Sequence, residues 1–402
     1  MRQGKESFGQ EPLPRLWNMN YIKVWTANFM LHFSFMLLMP LLPLYLSDTF
    51  HSDKHTIGLV LSGYTVAALI IRPFSGYIID NYPRKIVLLI CYSLFAAFFG
   101  GYLISGSLML FAIIRTLHGM PFGATTVSNS TVAIDVLDSR RRAEGIGYYG
   151  LSNNLSMALA PTAALYLYHM MESYQILFIV SLVTAIIGLL ISCTLKLEKK
   201  EIIPNRQAIS LDRFFLLKGW SQGISLACFA FSYGILSTYL AIYGKEELGI
   251  MEGTGTYFLL LAVGLMSSRL IGGRSLRKGR VTHNATIGML ISLVGYLLFA
   301  TLHNSVGYYL SALIIGLGNG HMYPAYQTMF INLAPNSQRG TANSTLLTSW
   351  DAGVGLGVLL GGVAAEFAGY HAAFYLAWII NLAGVLMYFL KARCHFLRYK
   401  LR

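Results

Sequence analysis

Charge is what this sequence lacks most. Only 12% of its 402 residues are Asp, Glu, Lys or Arg, while 55% are hydrophobic; soluble domains carry roughly a quarter charged residues. So little polar surface cannot cover a water-facing globule, and the natural solvent of the chain is lipid. Cysteine is scarce too. Cys91, Cys193, Cys228 and Cys394 lie in apolar runs or at the basic C-terminus, with no Cys-x-x-Cys or Cys/His spacing. Disulfide and zinc frameworks are therefore unsupported, and the four read as small apolar packers. No G-x-x-x-x-G-K-[ST] loop occurs, so ATP is not the implied energy source and no cofactor or metal is expected. No compact His/Asp cluster or nucleophile–base pair marks a membrane-embedded enzyme. A cleavable signal peptide is not expected either: residues 1–20 are polar and basic, and the first apolar run is too long for one.

What is present is hydrophobic length. Runs long enough for a hydrocarbon core fall near 22–47, 56–80, 86–105, 107–134, 145–169 and 174–196, then near 216–243, 255–274, 281–302, 306–333, 341–366 and 370–391. Barrel strands alternate over about 10 residues, whereas these runs are continuous, so the expected fold is an all-α polytopic membrane protein with twelve transmembrane helices. The net charge of +13 sits in short stretches between the runs, which is a topology signal and not a nucleic-acid stripe. Arg2, Lys5, Arg84, Lys85, Arg140 to Arg142, Lys199, Lys200, Arg206, Arg277, Lys278, Arg280, Arg339 and the tail from Lys391 fall on one side. The other side holds little beyond Lys54 and Lys245. The positive-inside rule then puts both termini in the cytoplasm of an inner-membrane protein.

The two groups of six look related. Gly58, Arg72 and Gly76 recur at the same spacing as Gly255, Arg269 and Gly273, an offset of 197. Leu42-x-x-Tyr45-Leu46 recurs as Leu236-x-x-Tyr239-Leu240, and Gly119 and Gly123 answer to Gly320 and Pro324. This supports two pseudo-symmetric six-helix bundles, 1–196 and 216–402, joined by a cytoplasmic linker over 197–215.

Residues 72–85 read Arg-Pro-Phe-Ser-Gly-Tyr-Ile-Ile-Asp-Asn-Tyr-Pro-Arg-Lys. The stretch resembles the loop between spans two and three of the major facilitator superfamily, G-x-x-x-D-x-x-G-[RK]-[RK], with Gly76, Asp80, Arg84 and Lys85 in place and Pro83 at the second glycine. Arg115-Thr-Leu-His118-Gly119 resembles the family's R-x-x-Q-G, with histidine for glutamine, and Asp135 with Arg140–Arg142 and Gly145 resembles its four–five loop. The likeness is nearest to the twelve-span drug:proton antiporter and sugar-efflux branch. In the span-five antiporter motif, Pro161 and the small residues Ser156, Ala160 and Ala164 remain while the glycines do not.

The resemblance implies a latch closing the cytoplasmic side in the outward-open state. Asp80 would sit at the N-terminus of span eleven, where dipole and free amides favour an anion, and Arg84 would pair with Asp135. Arg277 occupies the position equivalent to Asp80, so the latch is expected to be one-sided. Arg72 and Arg269, near cytoplasmic helix ends, are expected to snorkel to the interface. Arg115 lies about two turns inside span four, where a charge is costly; it should face the interior with a carbonyl or acidic partner and is tied to proton coupling by the family pattern. His118 shares its face.

Asp351 is the only carboxylate deep in a span, a candidate for proton or substrate coupling together with His32, His118 and His321. Gly353, Gly357 and Gly361 form a packing stripe. Asn153, Asn154, Gln222, Asn319, Tyr323, Tyr326, Gln327 and Trp350 form a candidate cavity suited to an amphipathic organic substrate.

The expected function is secondary active transport of a small organic molecule by alternating access, proton-coupled efflux first. Import or uniport of a metabolite such as a sugar or organic acid is the alternative, with a non-transporting scaffold or sensor behind it. The expected partners are the substrate, protons and the bilayer; nucleic acid is not among them, and the resemblance implies a monomer.

Overall fold

A computed structural model describes residues 15–52, 54–197, 211–250 and 253–401. The basic residues expected at the N-terminus before Arg15, Asp53, Glu252 and most of the 197–215 linker lie outside the described residues. Among those described, the chain is helical and contains no strand, as lipid requires of a backbone that must satisfy its own hydrogen bonds.

The first half comprises α1 (Met19–Leu38), α2 (Leu42–Phe50), α3 (Lys54–Asn81), α4 (Arg84–Leu103), α5 (Leu108–Asp135), α6 (Arg142–Met171) and α7 (Tyr174–Cys193). The second comprises α8 (Trp220–Glu246), α9 (Gly253–Arg277), α10 (Val281–Thr301), α11 (Ser305–Leu333), α12 (Arg339–Met387) and the terminal α13 (Arg393–Tyr399). Among the described residues, eight helices are long and apolar enough to cross a membrane alone, or nine if the bent α1–α2 pair is one span. Three further spans are less obvious for physical reasons. α6 and α11 carry the polar residues that face other helices. α12 is two spans, because Gly369 breaks it at φ 82°, ψ 169°, a backbone conformation open essentially to glycine.

The α1–α2 bend of 40° falls at Met39–Leu41, where Pro40 removes a backbone donor. Helix starts are capped locally: Asn18 accepts from Tyr21 N–H at 2.8 Å and Asn304 from Gly307 N–H at 2.8 Å.

Duplication is visible in the packing. α3 lies on α5, where Gly119 abuts the Tyr64 backbone and Gly123 the Ala68 carbonyl; α9 lies on α11, where Gly316 abuts the Leu261 backbone and Gly320 the Leu265 carbonyl, so the counterparts of Gly119 and Gly123 are Gly316 and Gly320, one turn before the expected Gly320 and Pro324. The stripe of Gly353, Gly357 and Gly361 seats α12 on α8, against Ala227, Phe231 and Ile235. Large apolar side chains such as Ile90, Leu94, Ile187, Leu359 and Leu390 are exposed, the surface a bilayer covers.

Candidate functional site

The halves meet where α3 packs on the first arm of α12 and where α9 packs on α6. At the end bearing Arg84, Arg141 and Arg339, hereafter the basic end, Asp80 caps α12. Its carboxylate accepts from the backbone N–H groups of Gly340 and Thr341, both at 2.7 Å, and from the Thr341 hydroxyl at 2.9 Å. Those amides have no partner inside their own helix, and the helix dipole favours the anion. The approach depends on Gly76: a Cβ there would stand 2.6 Å from Ser344 Cβ and 2.9 Å from the Gly340 carbonyl oxygen.

Beside Asp80, the Asp135 carboxylate receives Arg84 and, at 2.6 Å, Nη1 of Arg339 on α12, while Arg84 Nη2 is also 3.5 Å from Asp80. Four alternating charges thus tie α3, α4 and α5 to α12. In sequence Arg339 looks like no more than a loop charge. Lys85, half-buried, makes no hydrogen bond or ion pair among the described residues.

The expectation of a one-sided closure is corrected. Arg277 on α9 lies 3.7 Å from Glu144 on α6, and Glu144 is also held by Arg141 at 3.0 Å. This mirrors the Asp80 contact with the charges exchanged, cation on α9 and anion on α6. It is looser, since Arg277 is 37% exposed and a Cβ on Gly273 would meet nothing nearer than 3.9 Å.

Deeper in the seam lies Asp351, twelve residues or about 18 Å along α12. Its Oδ2 is 3.1 Å from Nη2 of Arg72 on α3, with side-chain exposures of 19% and 7%. Snorkelling is therefore the wrong reading of Arg72, and of Arg269, which is 7% exposed with its guanidinium against Gly150 of α6. Each arginine crosses to the other half, a solution that one sequence read helix by helix does not reveal.

Tyr323 on α11 is within electrostatic reach of Arg72, Asp351 and Arg269. Its ring centroid is 5.3 Å from that of Trp350, which in turn is 5.8 Å from Tyr233. Asn154 lies one helical turn beyond Gly150, and its neighbour Asn153 accepts from Asn28 of α1. Gln327 donates to Asn343 Oδ1 at 3.0 Å, and Asn343 reaches Ser130 of α5; Ser344 Oγ donates to the Arg72 carbonyl at 2.5 Å.

Other predicted residues are elsewhere. Gln222 is buried, donating to the Ala392 carbonyl at 2.9 Å; Tyr326 is buried with its hydroxyl 2.6 Å from Ser225; Asn319 accepts from Ser292 at 3.3 Å. All three are satisfied inside the second half, which corrects their placement in a cavity.

Arg115 and His118 lie inside the first half. Arg115 sits 4.1 Å from the Tyr64 ring centroid, donates to the Tyr102 hydroxyl at 3.2 Å and reaches the Met39 sulfur at 3.6 Å. Aromatic faces, a phenol and a thioether stand where a carbonyl or an acid is expected. His118 is 2.8 Å from the Tyr102 hydroxyl and ringed by Phe95, Phe98 and Phe99. His32 and His321 each place Nδ1 near a carbonyl one turn back, Asn28 at 3.0 Å and Leu317 at 2.9 Å.

Two helical bundles clasped at one end and bridged at depth by an ion pair are the anatomy of a two-bundle membrane transporter. The chain belongs to the Major Facilitator Superfamily, whose model matches residues 24–350 and 279–395. It is 22% identical over 391 residues to the uncharacterized MFS-type transporter YhhS of Escherichia coli K12, covering 94% of this chain and 93% of that one. It is 21% identical over 350 residues to the staphylopine export protein of Staphylococcus aureus Mu50, covering 83% of this chain and 87% of the relative. The fold matches the human organic anion transporter MFSD10 (TETRAN) with a TM-score of 0.80 at 17% identity, over 93% of this chain and all of that one. It also matches FucP in the outward conformation with a TM-score of 0.78 at 14% identity, over 95% and 99% of the two chains.

Proposed function

We propose that this transporter exports a small organic molecule by alternating access in exchange for protons, with Asp351 as the coupling group. The observation that carries this reading is the Arg72–Asp351 pair, a largely buried charge contact at 3.1 Å that joins the two halves at depth. While Asp351 is ionised, it holds Arg72 and favours contact between α3 and α12. A proton on Asp351 neutralises it and leaves Arg72 without its counter-charge, so the contact weakens and the basic end can part. Proton occupancy and access are thereby linked. The relationship to a staphylopine exporter across 83% of the chain supports the outward direction. We place the basic end, with Asp80 and Asp135, at the cytoplasm of a bacterial inner membrane, and read Asp80 as the latch of the outward-facing state.

Everted vesicles carrying the protein, acidified inside and monitored with a pH-sensitive dye, test the proposal. Candidate organic substrates added outside should release protons in the wild type and not in Asp351→Asn. Substrate uptake with no proton release, or equal release in Asp351→Asn, would refute coupling through this group.

A further inference from the structure

We propose that Arg269, together with Asn154 and Tyr323, forms a subsite for the carboxylate of the transported molecule, which makes the substrate an organic anion; this deepens and rests on the transport reading. The offset of 197 that relates Arg72 to Arg269 also relates Asn154 to Asp351. In one half the arginine meets a carboxylate of the protein. In the other, the equivalent position is a neutral amide.

The consequence is a buried cation without a counter-charge. Among the described residues, Arg269 makes no hydrogen bond or ion pair, although it is only 7% exposed. Its Nε has no acceptor, and neither has Asn154 Nδ2, also buried. Among the described residues, the groups within electrostatic reach of this guanidinium are Tyr21, Tyr323 and His321, and none of them is a carboxylate. Glu144, six residues before Gly150 on α6, is already shared by Arg141 and Arg277.

A guanidinium taken out of water without a counter-ion is costly, and its planar fork matches a carboxylate. A substrate carboxylate at Arg269 would do there what Asp351 does for Arg72. Asn154 would donate a further bond, and Tyr323, Trp350 and Tyr233 would flank the organic part. Placed across the α9–α6 contact, the anion bridges the two halves, so its arrival bears directly on the second clasp as protonation of Asp351 bears on the first.

The test uses the purified full-length protein in nanodiscs, with benzoate, succinate and citrate as probes and benzamide as the neutral control. At least one carboxylate should raise Tm saturably while benzamide does not. Arg269→Gln should weaken the affinity by about tenfold or more, and Arg269→Lys, lacking the fork, should fall between. Asn154→Asp should raise Tm without ligand, by supplying the missing carboxylate, and should abolish the response to the probes.

No stabilisation by any of the three carboxylates, or a response indifferent to both Arg269→Gln and Asn154→Asp, overturns the subsite. Binding needs no gradient, so the vesicle assay fails or succeeds separately. Carboxylate binding through Arg269 without proton release would remove the coupling reading alone.

Discussion

Arg72 of the first half and Asp351 of the second lie 3.1 Å apart, while the equivalent arginine, Arg269, packs against Gly150 on Asn154's helix and, among the described residues, meets no carboxylate. The duplicated fold has therefore kept two buried arginines and given only one of them a carboxylate. Because the pair ties the two halves, removing either member alone should destabilise the observed state by about 3–5 kcal/mol, since the other charge is left largely out of water. The double variant Arg72→Gln/Asp351→Asn should lose less than the sum of the singles. Thermal unfolding in nanodiscs measures all three, and strict additivity would contradict the contact.

Asp80 holds three donors at the start of α12. Replacing it with Asn removes the charge and should weaken closure of the basic end by roughly 1–3 kcal/mol. In a cysteine-free background, a cysteine placed at Ser130, a seam residue 6% exposed, should then react with a hydrophilic thiol reagent several-fold faster. Gly76→Ala should act in the same direction through the clash with Ser344 and Gly340. Unchanged labelling in both variants would show that the contact does not close the seam.

The Arg277–Glu144 contact is the weaker clasp. With Arg277 37% exposed and 3.7 Å from its partner, Arg277→Gln should cost less than about 1 kcal/mol. Labelling at Ser130 should change far less than in Asp80→Asn. An equal or larger effect would contradict the asymmetry between the two seams.

Arg115 belongs to the packing of the first half. Arg115→Lys retains charge but loses the planar face over Tyr64, so Tm should fall while the dependence of transport on an imposed pH gradient persists. A variant with normal Tm and no gradient dependence would return Arg115 to the coupling machinery.

The helical fold is legible in the residues because twenty-residue apolar runs have few other uses, and the Asp80 contact because the 72–85 segment carries a recognisable pattern. Which helix faces which is not legible there. Arg72 looked like a snorkelling charge because its mate is 279 positions away on the other half. Gln222, Asn319 and Tyr326 looked like cavity residues because a polar side chain in an apolar run fits two descriptions, and here each has a partner within its own bundle. The Gly369 break was legible only as a short gap between runs, since a glycine at φ 82° looks like any other in sequence. The clue to Arg269 was available: carrying the repeat offset of 197 one step further sets Asp351 opposite Asn154.

Alternating opening of the two ends is measured by pulsed electron spin resonance distances on spin-labelled protein. One label pair, at Tyr82 and Lys278, spans the basic end; a second, at Met171 and Val306, spans the opposite end. Two populations are expected at each end with opposite trends, the basic end opening as the far end closes, and a shift towards the open basic end in Asp351→Asn. Ends that move together, or distances that Asp351→Asn leaves untouched, would contradict alternating access governed by Asp351.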